Sequence, residues 1–109
     1  MRIWDIPPNK LCTKHLLGEH RELHAIWNIL TLNKTGYSRH PETLRWKGKL
    51  AALYQRHEQL VNEMISRNYN HKTELDRKYA IGYSSQNQFV NTYDEQITIL
   101  KNKGCKCKV

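Results

Sequence analysis

The sequence predicts an all-α protein: a single compact domain of about three helices with an extended N-terminal arm. Three observations lead to this fold class. The chain has 109 residues, too few to build two independent hydrophobic cores. Hydrophobic residues make up 39% and charged residues 26% of it, the proportions of an ordinary globular protein rather than of a disordered chain. Apolar residues recur at helical spacing in three segments.

The N-terminal arm and the first helix are predicted from proline placement and apolar spacing. Residues 1–8 should be extended, because Pro7 and Pro8 disfavour a helix before them. Asn9 is the predicted cap of the first helix. The turn-forming segment 33–37, NKTGY, should end that helix. Its apolar residues share one face: Leu16, Leu23, Trp27 and Leu30, with Ile26 beside them.

A second, longer helix is predicted to begin at Pro41, since proline suits the first helical position. Its apolar stripe runs over five turns: Trp46, Leu50, Leu53, His57, Leu60 and Met64. We interpret His57, which lies on that stripe, as a hydrogen-bonded core histidine. The basic residues off the stripe should face solvent or a ligand: Arg45, Lys47, Lys49 and Arg56.

The last third of the chain contains a predicted loop, helix and tail. Residues 79–91 are rich in Ser, Asn, Gln and Tyr, which is typical of an irregular loop. Thr92 and Glu95 have the spacing of a capping box for the third helix, and Gly104 should end it. Residues 105–109 are expected to form a flexible tail.

The charge of the chain indicates a polyanionic partner. Lysine and arginine number 18 against 10 aspartates and glutamates, a net charge of +8. The electrostatic field of this net charge attracts nucleic acid first and an anionic membrane second. The alternative is a basic protein whose charge serves only its solubility. No apolar run approaches the roughly 20 residues that span a bilayer, and the start lacks the apolar region of a secretory signal. We therefore expect a cytoplasmic protein without a membrane partner.

Two groups of possible metal ligands lack the spacing of a complete site. His20 and His24 stand four residues apart on the first helix, but local spacing supplies no third ligand. Cys105 and Cys107 form a CxC pair, which alone is a weak signal. With Cys12 the cysteines number three, so they cannot all pair, and reduced thiols are expected. We interpret these residues as surface histidines and a frayed tail, with no metal and no cofactor.

The segment HLLGEHREL carries the most informative polar cluster. His15, Glu19 and Glu22 recur on one helical face that differs from the apolar face, and Arg21 adjoins them. Gly18 lies between them at a cost of about 1 kcal/mol in helix propensity, as though a ligand had to approach the backbone there. An exposed charged face and a functional face explain this pattern equally well.

The blocks RIWDI, HLLGEHRELHAIW and HPETLRWKGKL resemble those of the pyrimidine-dimer DNA glycosylase family, the endonuclease V-like enzymes. The resemblance is strongest in residues 1–23 and looser in residues 49–70. It leaves the predicted loop and the tail uncovered. It implies one glycosylase-like domain over residues 1–109, with the compact helical fold of the family.

The resemblance also implies a two-step reaction on damaged DNA. The α-amine of the first residue attacks the sugar C1′, the base is released, a Schiff base forms, and β-elimination cuts the strand on the 3′ side. The nucleophile corresponds to the α-amine of Met1 and the essential carboxylate to Glu22. Arg21 corresponds to the arginine beside that carboxylate, and His15 to a supporting histidine.

The α-amine of a first residue is suited to the nucleophilic attack that the resemblance implies. An α-amine has a pKa near 7.7–8.0, so roughly 10–20% of it is neutral at pH 7. In the best-known member of the family the initiator methionine is removed, whereas here Arg2 follows Met1 and a retained methionine amine fits the alignment. Ala25 replaces a family arginine, and the tail GCKCKV replaces an aromatic one. These departures leave the lesion preference open.

The expected function is that of a DNA-repair glycosylase with AP lyase activity on UV-induced cyclobutane pyrimidine dimers. Its partner would be damaged double-stranded DNA, bound by a monomer without a cofactor. Phosphate contacts are expected from these residues: Arg2, Arg21, Arg45, Lys47 and Lys49. The alternatives are an AP lyase or a glycosylase for another damaged base, and a non-catalytic basic DNA-binding protein.

Overall fold

The computed structural model describes residues 2–70 and 74–108. Within these ranges the chain forms four α-helices and no strand: α1 (Thr13–Leu32), α2 (Pro41–Trp46), α3 (Leu50–Ser66) and α4 (Tyr93–Asn102). Short 3₁₀ turns cover Pro8–Lys10 and Arg77–Tyr79. The all-α fold class is therefore confirmed. Across the same ranges, none of these helices has the length and apolar character needed to cross a bilayer.

The core forms mainly where α1 packs on α3, and both predicted apolar stripes are buried there. The core residues of the two helices include Leu16, Leu23, Ile26, Trp27, Leu53, Leu60 and Met64. Burying each such side chain contributes about 1.5–3 kcal/mol. His57 is fully buried among them, and its Nδ1 lies 3.1 Å from a carboxylate oxygen of Glu58. The interpretation of His57 as a hydrogen-bonded core histidine is confirmed.

The predicted second helix is interrupted, which accounts for the additional helix. α2 ends at Trp46 and α3 begins at Leu50, with Gly48 between them at a φ of +77°. The loop docks on this break: Tyr83 N–H donates to the Gly48 carbonyl at 3.0 Å, and a Cβ on Gly82 would collide with that carbonyl. Apolar spacing cannot reveal the break, because the stripe continues in register across it.

Residues 2–7 of the predicted arm form no helix, as expected, whereas Pro8 already belongs to the 3₁₀ turn and the first helix begins later than predicted. Asn9 lies in the 3₁₀ turn, and α1 starts at Thr13 after Cys12, which makes no side-chain cap. The arm contributes fully buried side chains to the core, among them Ile3 and Ile6. It is therefore a structural part of the domain as well as its beginning.

The expectation that Arg45 and Arg56 face solvent or a ligand is wrong, because both are buried against other residues of the chain. Their exposed fractions are 5% and 8%, and both guanidinium groups bind the arm. Arg56 donates to the Ile6 carbonyl at 2.9 Å and to both carboxylate oxygens of Glu19, at 2.7 and 3.0 Å. Arg45 pairs with Glu42 at 2.7 Å. Burial is tolerated because each charge is paired and hydrogen-bonded.

α4 carries the predicted capping box. Thr92 N–H donates to the Glu95 carboxylate at 2.8 Å, and Glu95 N–H donates to the Thr92 hydroxyl at 3.2 Å. After α4 the chain returns to the start of α1, where Lys108 N–H donates to the Lys10 carbonyl at 2.7 Å. The flexibility of residues 105–109 stays a prediction.

Candidate active site

A cleft of about 470 Å³ lies between the arm, the first half of α1 and the end of α4. Its lining is Arg2, Trp4, Lys14, His15, Gly18, Glu19, Glu22, Ile99 and Lys103. Three of the predicted site residues, Arg2, His15 and Glu22, thus meet in one cavity. Met1 lies outside the described residues. Arg21 lies on the adjoining surface, beside a second depression lined by His20 and His24.

Glu22 contacts Arg2, the first residue that the structure describes. Its carboxylate accepts a hydrogen bond of 2.6 Å from the Arg2 backbone N–H. The side chain is half-buried, so it keeps access to the cleft. A hydrogen bond to a charged group contributes about 1.5–3 kcal/mol. The start of the arm is therefore held against the carboxylate that the resemblance singles out.

The next three N–H groups of the arm are also bound by side chains. Ile3 N–H donates to Glu42 at 3.1 Å, Trp4 N–H to Glu19 at 3.1 Å, and Asp5 N–H to Gln96 at 2.8 Å. The acceptors come from three different helices: Glu42 from α2, Glu19 from α1 and Gln96 from α4. The arm is thereby fixed in register relative to Glu22.

Of these three acceptors, one was placed wrongly from the sequence and two were not recognised at all. Glu19 was assigned to a non-core face, yet it is 1% exposed. Burial raises the pKa of its carboxyl, while the Arg56 guanidinium opposes that shift. Glu42 and Gln96 carried no signal, because an acid in a first helical turn and a glutamine in a late helix are ordinary surface residues. Only the contacts with the arm reveal their function.

His15 lines the cleft between the arm and α4. Partial burial lowers the pKa of its ring, and the positive charges of Lys103 and Lys14 lower it further. The ring meets Trp4 edge-on, with 5.8 Å between the ring centroids. Its Nδ1 lies 3.2 Å from Cys12 Sγ and 3.4 Å from Cys107 Sγ.

The predicted DNA-contacting residues differ in how available their charges are. The side chains of Arg21 and Lys47 are exposed and form no hydrogen bond or ion pair with any residue in the described ranges. The Lys49 amine donates to Gln86 at 2.7 Å. The Arg2 guanidinium donates to Asn91 at 2.8 Å. The buried charge of Arg45 is already paired, as described above.

Two groups of side chains have the composition of metal sites. The histidines at positions 20 and 24 are partly exposed, as expected of surface histidines, but they also meet the buried His57. His24 Nε2 lies 3.2 Å from His20 Nε2 and 3.1 Å from His57 Nε2. The other group joins His15 to cysteines from both ends of the chain. Local spacing missed both groups, because each is completed by residues distant in sequence.

Comparison with known families identifies the family to which the chain belongs. The family described as pyrimidine dimer DNA glycosylase matches residues 1–77, more than half of the chain. The protein belongs to this family. The match covers the arm and α1 to α3, and therefore Glu22, His15 and most of the cleft. No curated protein matches the chain, and no solved structure does. As a pyrimidine dimer DNA glycosylase, the protein has DNA as its substrate.

Gly18 provides a test of whether the glycosylase uses this cleft. A Cβ added at Gly18 would meet no atom within 4 Å, so alanine is accommodated and should stabilise α1 by about 1 kcal/mol. Gly18 lines the cleft, so a substrate bound there would meet the added methyl group. Because a displacement of about 1 Å can slow catalysis up to about 10²-fold, we expect Gly18→Ala to lower the cleavage rate about tenfold or more.

Urea denaturation and cleavage of UV-irradiated DNA measure the two effects of Gly18→Ala. Gly36→Ala, in the turn after α1 and also free of close neighbours, is the matched control and should cleave at the wild-type rate. Unchanged cleavage by Gly18→Ala would show that no substrate atom approaches this part of the helix.

Proposed function

We propose that the protein excises cyclobutane pyrimidine dimers from double-stranded DNA and cuts the strand by β-elimination, acting as a monomer. The Met1 α-amine is the proposed nucleophile and Glu22 the catalytic carboxylate. The 2.6 Å hydrogen bond from the Arg2 N–H to Glu22 supports this assignment most directly. The Arg2 nitrogen is joined to Met1 by a peptide bond, so the α-amine is only three covalent bonds from the atom that Glu22 binds.

The proposed reaction balances with these groups and water. The neutral amine forms a bond to C1′ as the glycosidic bond breaks, and the base leaves with the electron pair and takes up a proton. The nitrogen then loses a proton, the C1′–O4′ bond opens with protonation of O4′, and a Schiff base results. Loss of a C2′ proton expels the 3′ phosphate with its electron pair, and water from the solvent then hydrolyses the Schiff base and releases the amine.

Glu22 has two roles in this sequence of steps. Its negative charge balances the positive charge that develops at C1′. Its carboxylate also carries protons between the nitrogen, O4′ and C2′. The arm supports both roles, because its N–H groups are bound to side chains from α1, α2 and α4, which holds Arg2, the residue after Met1, against the carboxylate.

The neighbouring residues take supporting roles in the proposal. His15 is a wall of the cleft that positions the substrate beside Trp4. Arg21 and Lys47 contact phosphates, which fixes the register of the duplex without reading its bases. Arg2 and Lys49 reach phosphates by exchanging their present amide partners. We assign Arg45 to holding the arm through Glu42 rather than to DNA.

Borohydride trapping tests the proposed function. The protein is incubated with a duplex that contains one cyclobutane dimer, with an abasic duplex and with an undamaged duplex. We expect a covalent adduct and strand cleavage with the first two substrates and neither with the third. An adduct on the abasic duplex alone would identify an AP lyase, and DNA binding without any adduct would identify a non-catalytic protein.

A further inference from the structure

Four side chains from the two ends of the described chain converge beside the cleft. Cys12 and His15 come from the start of α1, and Cys105 and Cys107 from the segment after α4. Their possible ligand atoms all lie within 4.8 Å of one another. We propose that these four residues bind one Zn²⁺ ion, which fastens the C-terminal segment to α1.

The separations of the ligand atoms suit tetrahedral zinc. Zn–S bonds of about 2.3 Å and Zn–N bonds of about 2.0–2.1 Å place sulfur and nitrogen ligands about 3.6 Å apart. The distances from His15 Nδ1 to the sulfur atoms of Cys12 and Cys107 are 3.2 and 3.4 Å. These two separations need an adjustment of only a few tenths of an ångström to admit the ion, and no pair of the four ligand atoms is more than 4.8 Å apart.

The chemistry of the ligand set favours zinc in a structural site. Three thiolates and one imidazole are the Cys₃His set of closed tetrahedral sites, and soft thiolates disfavour Mg²⁺ and Ca²⁺. The Cys12 N–H already donates to Cys107 Sγ at 3.1 Å, the kind of second contact that orients a metal ligand. The Cys105 thiol donates to the Leu100 carbonyl at 3.3 Å, a bond that coordination would replace.

The site lies at the edge of the cleft because His15 belongs to both. Coordination of Nδ1 would fix the imidazole plane against Trp4. It would also close a loop of more than ninety residues between Cys12 and Cys107, so that binding energy contributes to folding. Cys105 and Cys107 lie outside residues 1–77, the segment that the family match covers. The proposal is therefore independent of the proposed function.

Cobalt substitution tests the site in the full-length, reduced protein. After removal of bound metal with a chelator, Co²⁺ is titrated and its thiolate charge-transfer and tetrahedral d–d absorption are recorded. We expect saturation of the thiolate band at one equivalent and its loss on addition of Zn²⁺. Cys107→Ser should weaken binding by more than the roughly 10–100-fold that outer-shell changes cost. His24→Gln, in the separate histidine group, should leave the thiolate band unchanged.

Cysteine alkylation keeps the proposal testable if the cysteine variant does not fold. In the wild-type protein Zn²⁺ should protect all three cysteines from iodoacetamide, and a chelator should remove that protection. A missing thiolate band, or alkylation that ignores Zn²⁺, would overturn the proposal. An intact mass lower by two hydrogen atoms in the isolated protein would overturn it in favour of a disulfide.

Discussion

Glu22→Gln is expected to slow base release about 10²-fold or more while the protein keeps its fold and its affinity for damaged DNA. The amide oxygen of glutamine still accepts the Arg2 N–H, so the arm keeps its anchor. The amide carries no negative charge for C1′ and cannot accept a proton from the amine. The loss should therefore fall on the chemical steps rather than on binding.

Single-turnover cleavage of a dimer-containing duplex, together with a binding titration, separates the two effects of Glu22→Gln. Asp94→Asn, an exposed carboxylate at the start of α4, is the control for the loss of one negative charge and should retain the wild-type rate. Wild-type cleavage by Glu22→Gln would show that Glu22 only anchors the arm. A parallel loss of binding would mean that it acts on DNA affinity.

Hydrophobic spacing predicted the part of the fold that depends on apolar burial. The stripes of α1 and α3, the buried His57 and the capping box of α4 all follow from residues close in sequence, which is the range over which helical periodicity operates. The break at Gly48 did not follow, because the stripe stays in register across it. Periodicity reports which face is buried and not whether the helix is continuous.

The buried charges could not be predicted one helix at a time. Arg56 and Glu19 lie on helices that are far apart in sequence, and each looks like an exposed residue on its own helix. Their burial becomes favourable because they pair with each other and also bind the arm, whose carbonyl and N–H groups need partners once they leave water. The arm therefore determines the position of these charges.

Only part of the candidate site could be predicted, because its other part is formed by residues that are distant in sequence. His15 and Glu22 share a segment that resembles a known family, so their positions were available from the sequence. The convergence of Cys12 with Cys107 requires the return of the chain after α4, which no local spacing encodes. The arm, the cleft and the cysteine cluster thus all depend on contacts made by the two ends of the described chain.

Blocking the α-amine of Met1 is expected to abolish strand cleavage and borohydride trapping while leaving DNA affinity intact. Met1 itself lies outside the described residues, so the expectation rests on its peptide bond to Arg2 and on the contact between Arg2 and Glu22. An acylated nitrogen delocalises its lone pair into the carbonyl and cannot attack C1′. In a chain extended at its N-terminus, the nitrogen of Met1 is a peptide nitrogen and is equally unable to attack.

The comparison uses one protein in two forms. A version with a short N-terminal extension is assayed on a dimer-containing duplex before and after a protease removes the extension and leaves Met1 first. We expect no adduct before removal and full trapping afterwards, with equal affinity for the duplex in both forms. Because the lysines are the same in both, full activity of the extended form would assign the nucleophile to one of them. The contact between Arg2 and Glu22 would then be structural and would have no role in catalysis.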